Sequence, residues 1–208
     1  GVNRIHRVSW KQIKPVDEIL ALYNSRFTGT LLVDNKNVLL VDFEKIVFEL
    51  NPDLEKLDGL DAINQEELKA KRGSKSIVFA EDSGFIRKNV STFLGNAGYK
   101  IHAFENGQAA INAIKRFKAE ADKNGGSITD HFDLLLTDIE MPQMDGLTLS
   151  KEVRDGLGLS IPIVMFSSLI DDQMKMKCKE VGANDYIAKP RTPDLIKILD
   201  DQIFGSAR

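Results

Sequence analysis

From Ser76 onward, short apolar runs alternate with segments of helical periodicity, and this alternation restricts the chain to few folds. The apolar runs predict five strands, at 77–80, 100–104, immediately before Asp138, 163–166 and 186–188. The periodic segments predict five helices, at about 85–97, 108–122, 147–154, 171–181 and 193–204. Alternation of this kind favours a parallel sheet with helices on both faces. The sequence therefore predicts a doubly wound α/β fold for residues 76–208.

Polar residues of particular kinds follow four of the five predicted strands. Glu81 and Asp82 follow the first strand, Asp138 the third, Ser167 the fourth and Lys189 the fifth. The carboxyl ends of parallel strands lie at one edge of the sheet, where binding sites form in open α/β folds. Three carboxylates there repel one another unless a cation is present. Oxygen ligands suit Mg²⁺, whereas zinc prefers His or Cys, so we predict a magnesium site.

These side chains supply the parts that phosphoryl transfer needs. A metal ion and a lysine neutralise phosphoryl oxygens, a hydroxyl donates to one of them, and a carboxylate attacks as the nucleophile. Each residue alone has an ordinary structural explanation, such as a turn or a helix cap for the aspartates. Their joint occurrence, in order, at four strand ends favours a functional site.

Residues 76–204 resemble the receiver domain of two-component response regulators, through the segments VFAEDS, LLLTDIEMPQMDG, IPIVMFSS and DYIAKP. The resemblance implies a five-stranded sheet of order 2-1-3-4-5. It also implies that Asp138 is the phosphoacceptor and a ligand of Mg²⁺. The other implied ligands are Asp82 directly, Glu81 through water, and the backbone carbonyl of Glu140.

The same resemblance assigns roles at the last two strands. Ser167 and Lys189 would hold the phosphoryl oxygens, and the bond from Lys189 to Pro190 would be a cis peptide. Tyr186 matches the switch aromatic of the family, whose rotamer follows Ser167. The alternative for Tyr186 is a packing role at the edge of the sheet.

Two positions depart from the usual pattern, namely Glu140, two residues after Asp138, and Leu169, two residues after Ser167. In this family they flank the water that attacks the phosphoryl group. Leu169 can neither position nor activate water, so we predict slow intrinsic loss of phosphate. A phosphate-release time course should differ between the unchanged protein and Leu169→Glu, and equal rates would contradict the prediction. The long loop at 123–132 is a further departure, with no predicted role.

The first fifty residues have a pattern rich in strand signals. Residues 2–10 alternate between apolar and polar, and apolar runs at 31–33 and 38–43 flank a turn at 34–37, which is typical of a hairpin. Residues 16–23 fit a short helix, and 46–50 fit either a strand or a helical turn. Three or four strands can form only a small core. We therefore expect the segment to be incomplete, or to be completed by another chain or by the second domain.

Residues 1–50 resemble the C-terminal half of a CheW-type coupling domain. The resemblance rests on the first strand, the QIKP turn, the pair Thr28 and Gly29, and the LLVDFEKI strand. Residues 51–75 predict a partly helical linker, broken at Gly59 and ended at Gly73, with a flexible charged tether as the alternative. A CheW-like domain followed by a receiver is the arrangement of CheV-type chemotaxis coupling proteins.

The CheV-type resemblance implies a scaffold, and not an enzyme, that joins the cytoplasmic tails of chemoreceptors to the histidine kinase CheA. Phosphorylation of Asp138 would adjust this coupling. One alternative is a Mg²⁺-dependent phosphohydrolase, since aspartyl-phosphate enzymes use the same side chains. Another is a receiver that acts only as a phosphate sink.

Composition limits the other possibilities. The net charge of -3 provides no bulk attraction to nucleic acid. The single cysteine, Cys178, excludes an intramolecular disulfide. The apolar runs are too short to span a bilayer and the first residues have no signal-peptide core. We therefore expect a cytoplasmic protein. The CheV-type resemblance implies that it reaches membrane receptor arrays only through its partners.

Overall fold

The computed structural model describes residues 6–9, 12–15, 27–42, 46, 62–168, 171–189 and 192–205. The chain divides into two compact units, 1–51 and 52–208, and each is described by itself. Several predictions lie outside the described residues: the helix at 16–23, the strand or turn over 47–50, the break at Gly59, Leu169, and the cis peptide at Pro190.

The first unit contains an antiparallel hairpin, as predicted. Strand β1 (Phe27–Val33) pairs with β2 (Lys36–Val41), and Val33 lies opposite Lys36. The connecting residues Asp34 and Asn35 have φ values of 46° and 60°. Positive φ at both positions defines a tight turn whose twist matches that of the strands. The turn therefore has two residues instead of the four predicted.

The predicted strand over residues 2–10 is wrong for the part that the structure describes, because residues 6–9 have no regular secondary structure. Lys14 instead pairs with Thr30 of β1, and the two residues exchange backbone hydrogen bonds of 2.9 and 2.8 Å. Among the apolar side chains of the hairpin, Leu31 is buried while Leu32 is 62% exposed. The described hairpin thus buries little apolar surface.

The second unit is a five-stranded parallel sheet with flanking helices. Its strands are β3 (Ser76–Ala80), β4 (Lys100–Phe104), β5 (Leu134–Thr137), β6 (Ile163–Ser167) and β7 (Asp185–Ala188). The strand order is β4-β3-β5-β6-β7, and every pairing is parallel. This order is the predicted 2-1-3-4-5, so the doubly wound fold is confirmed.

The helices of this unit lie close to the predicted positions. They are α1 (Ala62–Arg72), α2 (Gly84–Asn96), α3 (Gly107–Asn124), α4 (Gly146–Lys151), α5 (Asp172–Glu180) and α6 (Thr192–Phe204). One α-helix was predicted at 147–154. In the structure, α4 ends at Lys151 and a π-helical turn (Glu152–Gly156) follows it. The loop at 123–132 contains a 3₁₀ turn (Ile128–Asp130) that Ser127 and Asp130 close with a reciprocal capping box.

The core lies against both faces of the central strands. Strands β5 and β6 are buried at every residue. On one face, Val78 and Leu135 pack with Ile111 and Ile114 of α3 and with Leu149 of α4. On the other, α2 contacts β3, and α6 contacts both β5 and α2. Burial on both faces explains why these strands are apolar until their last residue.

Polar residues begin the helices that follow the strands. The side chains of Ser83, Asn106, Asp145 and Asp171 accept hydrogen bonds from backbone N–H groups in the first turns of α2, α3, α4 and α5. These caps satisfy helix donors that would otherwise lack partners. Each capped helix follows a strand, and the strand-end side chains share one edge because the strands are parallel.

Helix α1 lies within the segment predicted as a partly helical linker and ends at Arg72, one residue before Gly73. The Arg72 guanidinium pairs with Asp200 of α6, and its Nη1 also donates to the carbonyl of Ala97 at 3.3 Å. Tyr99 donates its hydroxyl proton to Asp200 at 2.5 Å. These contacts join α1 to the sheet unit, while the boundaries predicted at 50/51 and 75/76 stay predictions.

The buried Tyr99 hydroxyl predicts a loss of stability in alkali. Burial, and then its hydrogen bond to Asp200, raises the pKa of Tyr99 above the ordinary 10.0. Above that pH the unfolded chain loses this proton and the folded chain keeps it, so the free energy of unfolding falls as pH rises. Below that pH, the Tyr99 hydroxyl contributes its full stabilisation to the folded state. In urea unfolding between neutral pH and alkali, the unchanged protein should lose stability more steeply than Tyr99→Phe. If the free energy of unfolding falls equally with pH in both proteins, the raised pKa of Tyr99 is contradicted.

Candidate functional site

Three carboxylates meet at the carboxyl edge of the sheet. Glu81 and Asp82 follow β3, and Asp138 follows its neighbour β5. One ligand oxygen from each residue lies within 4.8 Å of the other two. Glu81 is fully buried, Asp138 is 5% exposed and Asp82 is half-buried. The parallel pairing of β3 and β5 therefore concentrates negative charge where water screens it poorly.

Lys189 lies against two of these carboxylates. Its Nζ is 2.8 Å from Oε2 of Glu81 and 3.2 Å from Oδ2 of Asp138, and its side chain is 3% exposed. The same Nζ lies 5.3 Å from the ring centroid of Phe166. One lysine offsets only part of the charge of three carboxylates. The cluster can therefore accept a further cation.

Backbone amides hold two of the carboxylates in place. Ile139 donates its N–H to Oδ1 of Asp138 at 2.7 Å, and Ser83 donates to Oε1 of Glu81 at 3.1 Å. Each bond leaves the other oxygen of that carboxylate directed at Lys189. Oδ2 of Asp138 is thus the oxygen of this carboxylate that contacts a cation.

Ser167 is the last residue of β6, which lies between β5 and β7 in the sheet. The backbone N–H of Lys189 donates to the carbonyl of Ser167 at 2.9 Å, and Ser167 is 3% exposed. Tyr186 is half-buried, and Nζ of Lys175 lies 5.7 Å from its ring centroid. Glu140 is exposed, two residues after Asp138. The roles that the sequence assigned to Ser167, Tyr186, Glu140 and Lys189 stay predictions.

Two residues that make contacts at the site were not predicted from the sequence. Arg87 of α2 donates from Nη1 to the carbonyls of Glu81 and Asp82, at 2.6 and 3.2 Å. This guanidinium holds the loop that carries both acids, yet an arginine in a first helical turn is no signal by itself. Ser83 begins α2 as its cap. A serine just before a predicted helix is the one signal that could have identified it.

Gly146 is required at the start of α4. A Cβ atom there would lie 2.0 Å from the carbonyl oxygen of Asp138, and Gly146 donates its own N–H to the carbonyl of Ile139 at 2.9 Å. The sequence indicates only that Asp145 and Gly146 form a turn. The structure shows that α4 packs directly on the backbone of Asp138.

The donor set fits Mg²⁺. All three side chains offer carboxylate oxygens, and no His or Cys takes part. Hard oxygen ligands of this kind suit Mg²⁺ and do not suit zinc. Within the described part of the chain, this is the cluster of acidic residues close enough together to share a metal ion.

Comparisons with known proteins identify the second unit. Residues 77–200 match the family model of the response regulator receiver domain. CheY4 of Vibrio cholerae is 30% identical, with a TM-score of 0.51, over 62% of this chain and 98% of its own. The receiver domain of RstA from Klebsiella pneumoniae, in its BeF₃-activated form, is also 30% identical, with a TM-score of 0.53, over 62% of this chain and 98% of its own.

Two curated relatives also match residues outside the receiver. Chemotaxis protein CheV3 of Helicobacter pylori is 31% identical over 96% of this chain and 64% of its own length. Chemotaxis protein CheV1 of the same organism is 26% identical over 85% of this chain and 52% of its own. The chain thus spans less than two thirds of the length of either relative.

Among the described residues, no helix has both the length and the apolar character needed to cross a bilayer. The match to the receiver model covers more than half of the chain, and the CheV3 match extends over nearly all of it. The chain belongs to the response regulator receiver domain family and is similar to CheV-type chemotaxis proteins, as the sequence motifs predicted.

Proposed function

We propose that this chain is a phosphorylation-regulated chemotaxis adaptor whose receiver domain accepts a phosphoryl group on Asp138. The observation that carries the proposal is the approach of Lys189 to within 3.2 Å of Asp138, inside a cluster of three carboxylates. The similarity to CheV3 supports the chemotaxis role. The adaptor acts in the cytoplasm, at receptor arrays that it reaches through its partners.

The chemistry follows from the positions of the side chains. Oδ2 of Asp138 forms a bond to the phosphorus atom while the bond from phosphorus to the donor's leaving group breaks. The Lys189 ammonium and the Ser167 hydroxyl hold phosphoryl oxygens. Bound Mg²⁺ would supply the remaining positive charge. Asp82, Asp138 and the carbonyl of Glu140 would hold the ion, with Glu81 acting through water.

The proposed output is a change in coupling between chemoreceptor tails and the histidine kinase CheA. The hairpin and its neighbours carry no chemical motif, which suits a contact surface better than an active site. The sequence resemblance to the later strands of a CheW-type domain supports this assignment. The receiver would promote only its own phosphorylation and dephosphorylation, so the chain is not an enzyme acting on other substrates.

The phosphohydrolase alternative receives less support. Such enzymes carry an acid two residues after the nucleophile that acts as a proton donor. Here that residue is Glu140, which is exposed while Asp138 is buried. An exposed carboxylate has no position fixed by packing from which to protonate a leaving group.

Incubation with acetyl phosphate and Mg²⁺ tests the phosphoacceptor. We expect one phosphoryl adduct per chain, and none in Asp138→Asn, because Asp138 is the phosphoacceptor proposed above. Asp145→Asn is the matched control, since Asp145 only caps α4. Intact-protein mass spectrometry measures the adduct. Repeated turnover of phosphoesters would instead support the phosphohydrolase.

Pull-down of CheA and receptor tails tests the adaptor role. The natural full-length protein should capture both, and the amount captured should change when acetyl phosphate and Mg²⁺ are added. In Asp138→Asn that change should disappear. If neither partner is captured although Asp138 is labelled, the chain is a phosphate sink.

A further inference from the structure

We propose that helix α1 is a functional element of the receiver. Its contact with α6 transmits the phosphorylation state of Asp138 to the chain upstream. The contact consists of Arg72, Tyr99 and Asp200, called the α1 clamp below. This inference rests on the proposed function, because it requires that Asp138 be phosphorylated.

The α1 clamp is a buried, multiply bonded ion pair. Nε of Arg72 donates to Oδ1 of Asp200 at 2.8 Å, Nη2 donates to the other carboxylate oxygen, and the arginine side chain is 3% exposed. Two parallel bonds from a guanidinium to a carboxylate fix orientation as well as distance. Tyr99, itself 4% exposed, donates a third bond to Asp200. Such a pair specifies one position of α1 on α6.

The backbone of α1 also approaches the turn before β4 closely. Gly98 has a φ of +112°, and a Cβ atom there would lie 2.7 Å from the carbonyl oxygen of Lys69. A side chain at position 98 would therefore separate α1 from the turn. If this segment were a flexible tether, position 98 would not need a residue without a side chain.

Helix α1 depends on these contacts for its stability. It has 11 residues, and isolated helices of that length are marginal in water. Most of its described side chains, from Glu66 to Lys71, are exposed, with Leu68 half-buried. Among the side chains of α1 whose burial the structure describes, Arg72 is the one that is buried. A small change at Asp200 therefore shifts the balance between docked and released α1.

Helix α6 connects the α1 clamp to the switch region. A cavity of about 510 Å³ lies between α1 and α6, lined by Leu68 and Asp200 among others. A second cavity of about 510 Å³ lies between α6 and β7, and Tyr186 lines it. Lys197 and Asp201 of α6 line both cavities. Helix α6 therefore lies between the α1 clamp and Tyr186.

Phosphorylation supplies the cause of such a movement. Lys189 now pairs with Glu81 and Asp138, and it directly follows Ala188, the last residue of β7. A phosphoryl group on Asp138 would draw the lysine away from Glu81. The end of β7 then shifts against α6, which carries Asp200. The physical link is a chain of packed elements ending at the α1 clamp.

Hydrogen–deuterium exchange on the full chain, with and without beryllofluoride and Mg²⁺, tests this link. Beryllofluoride with Mg²⁺ serves as the probe for the phosphorylated state. We expect the exchange rate of amides in residues 66–72 to change by about fivefold or more, the lower end of ordinary coupling between sites. In Arg72→Gln the change should be lost, while acetyl phosphate still labels Asp138. Tyr99→Phe, which removes one bond and keeps the ring, should show a smaller change than the unchanged protein.

The matched control is Glu67→Gln on the exposed face of the same helix. Glu67 forms a surface pair with Lys71, and its side chain is 72% exposed. This variant should respond to beryllofluoride as the unchanged protein does. Equal loss of the response in Glu67→Gln and Arg72→Gln would overturn the role of the α1 clamp.

The outcomes separate the two proposals. If peptides around Asp138 and Tyr186 respond but residues 66–72 do not, transmission through α1 is overturned and the proposed function stands. If no peptide responds and acetyl phosphate leaves Asp138 unlabelled, the proposed function fails and the transmission fails with it. A response in residues 66–72 that disappears in Arg72→Gln supports both.

Discussion

Replacing Lys189 by Met is expected to abolish labelling of Asp138 and to lower the free energy of unfolding by about 3–5 kcal/mol at neutral pH, the usual range for a broken buried ion pair. Lys189 is the cation that contacts both Glu81 and Asp138, and all three side chains are almost completely buried. Without it, two buried carboxylates face each other with no positive charge between them. The transferring phosphoryl group also loses its main cationic contact.

Urea unfolding with and without Mg²⁺ measures the stability effect. Mg²⁺ should stabilise the folded state of both proteins, because it binds the carboxylates only when they are brought together. The gain should be larger in Lys189→Met, whose uncompensated charge is greater. Lys118→Met is the control, since Lys118 pairs with Asp122 on the surface at 2.8 Å. That change should cost at most about 1 kcal/mol. A Lys189→Met protein as stable as the unchanged one, and still labelled, would contradict the assignment.

Replacing Gly146 by Ala is expected to destabilise the receiver by about 3 kcal/mol, at the upper end of ordinary overpacking costs. The added Cβ would lie 2.0 Å from the carbonyl oxygen of Asp138, so either α4 or the Asp138 backbone must move. Movement of the phosphoacceptor also slows its reaction, since a shift of about 1 Å can cost roughly a hundredfold in rate. Labelling by acetyl phosphate should therefore slow by at least about tenfold.

Gly95→Ala is the matched control for this change. Gly95 lies in α2, and a Cβ there meets nothing within 4 Å. Alanine in the middle of a helix is favoured over glycine by about 0.5–1 kcal/mol. Gly95 lies in the last turn of α2, so we expect this variant to be at least as stable as the unchanged protein. Both changes add one methyl group, and the difference between them measures the close contact at Asp138. If Gly146→Ala and Gly95→Ala have the same free energy of unfolding and the same labelling rate, α4 does not pack on Asp138 in solution.

The sequence alone determined the order of the elements and the members of the carboxylate cluster. Apolar runs of strand length, separated by helical periodicity, restrict the fold to a parallel sheet. That topology brings all strand ends to one edge, so Glu81, Asp82, Asp138 and Lys189 could be assigned to one site before any distance was known. Each of these inferences depends only on local periodicity and on one geometric property of parallel sheets.

The tertiary structure decided which side chains touch. Lys189 lies closer to Glu81 than to Asp138, and α4 packs on the Asp138 carbonyl. Both contacts depend on how neighbouring elements are offset. Such offsets result from packing across the whole core and leave no local pattern. In the hairpin, likewise, pairing between the strands placed the turn at two residues where the pattern indicated four.

The α1 clamp shows the same limit most clearly. Arg72 and Asp200 are 128 residues apart in the chain, and Tyr99 and Asp200 are 101 apart. Each is an ordinary residue in its local sequence, with no spacing that relates it to the others. Only the folded sheet, which brings α1, the turn before β4 and α6 together, makes them one buried cluster, because contacts across such distances are set by topology and not by periodicity.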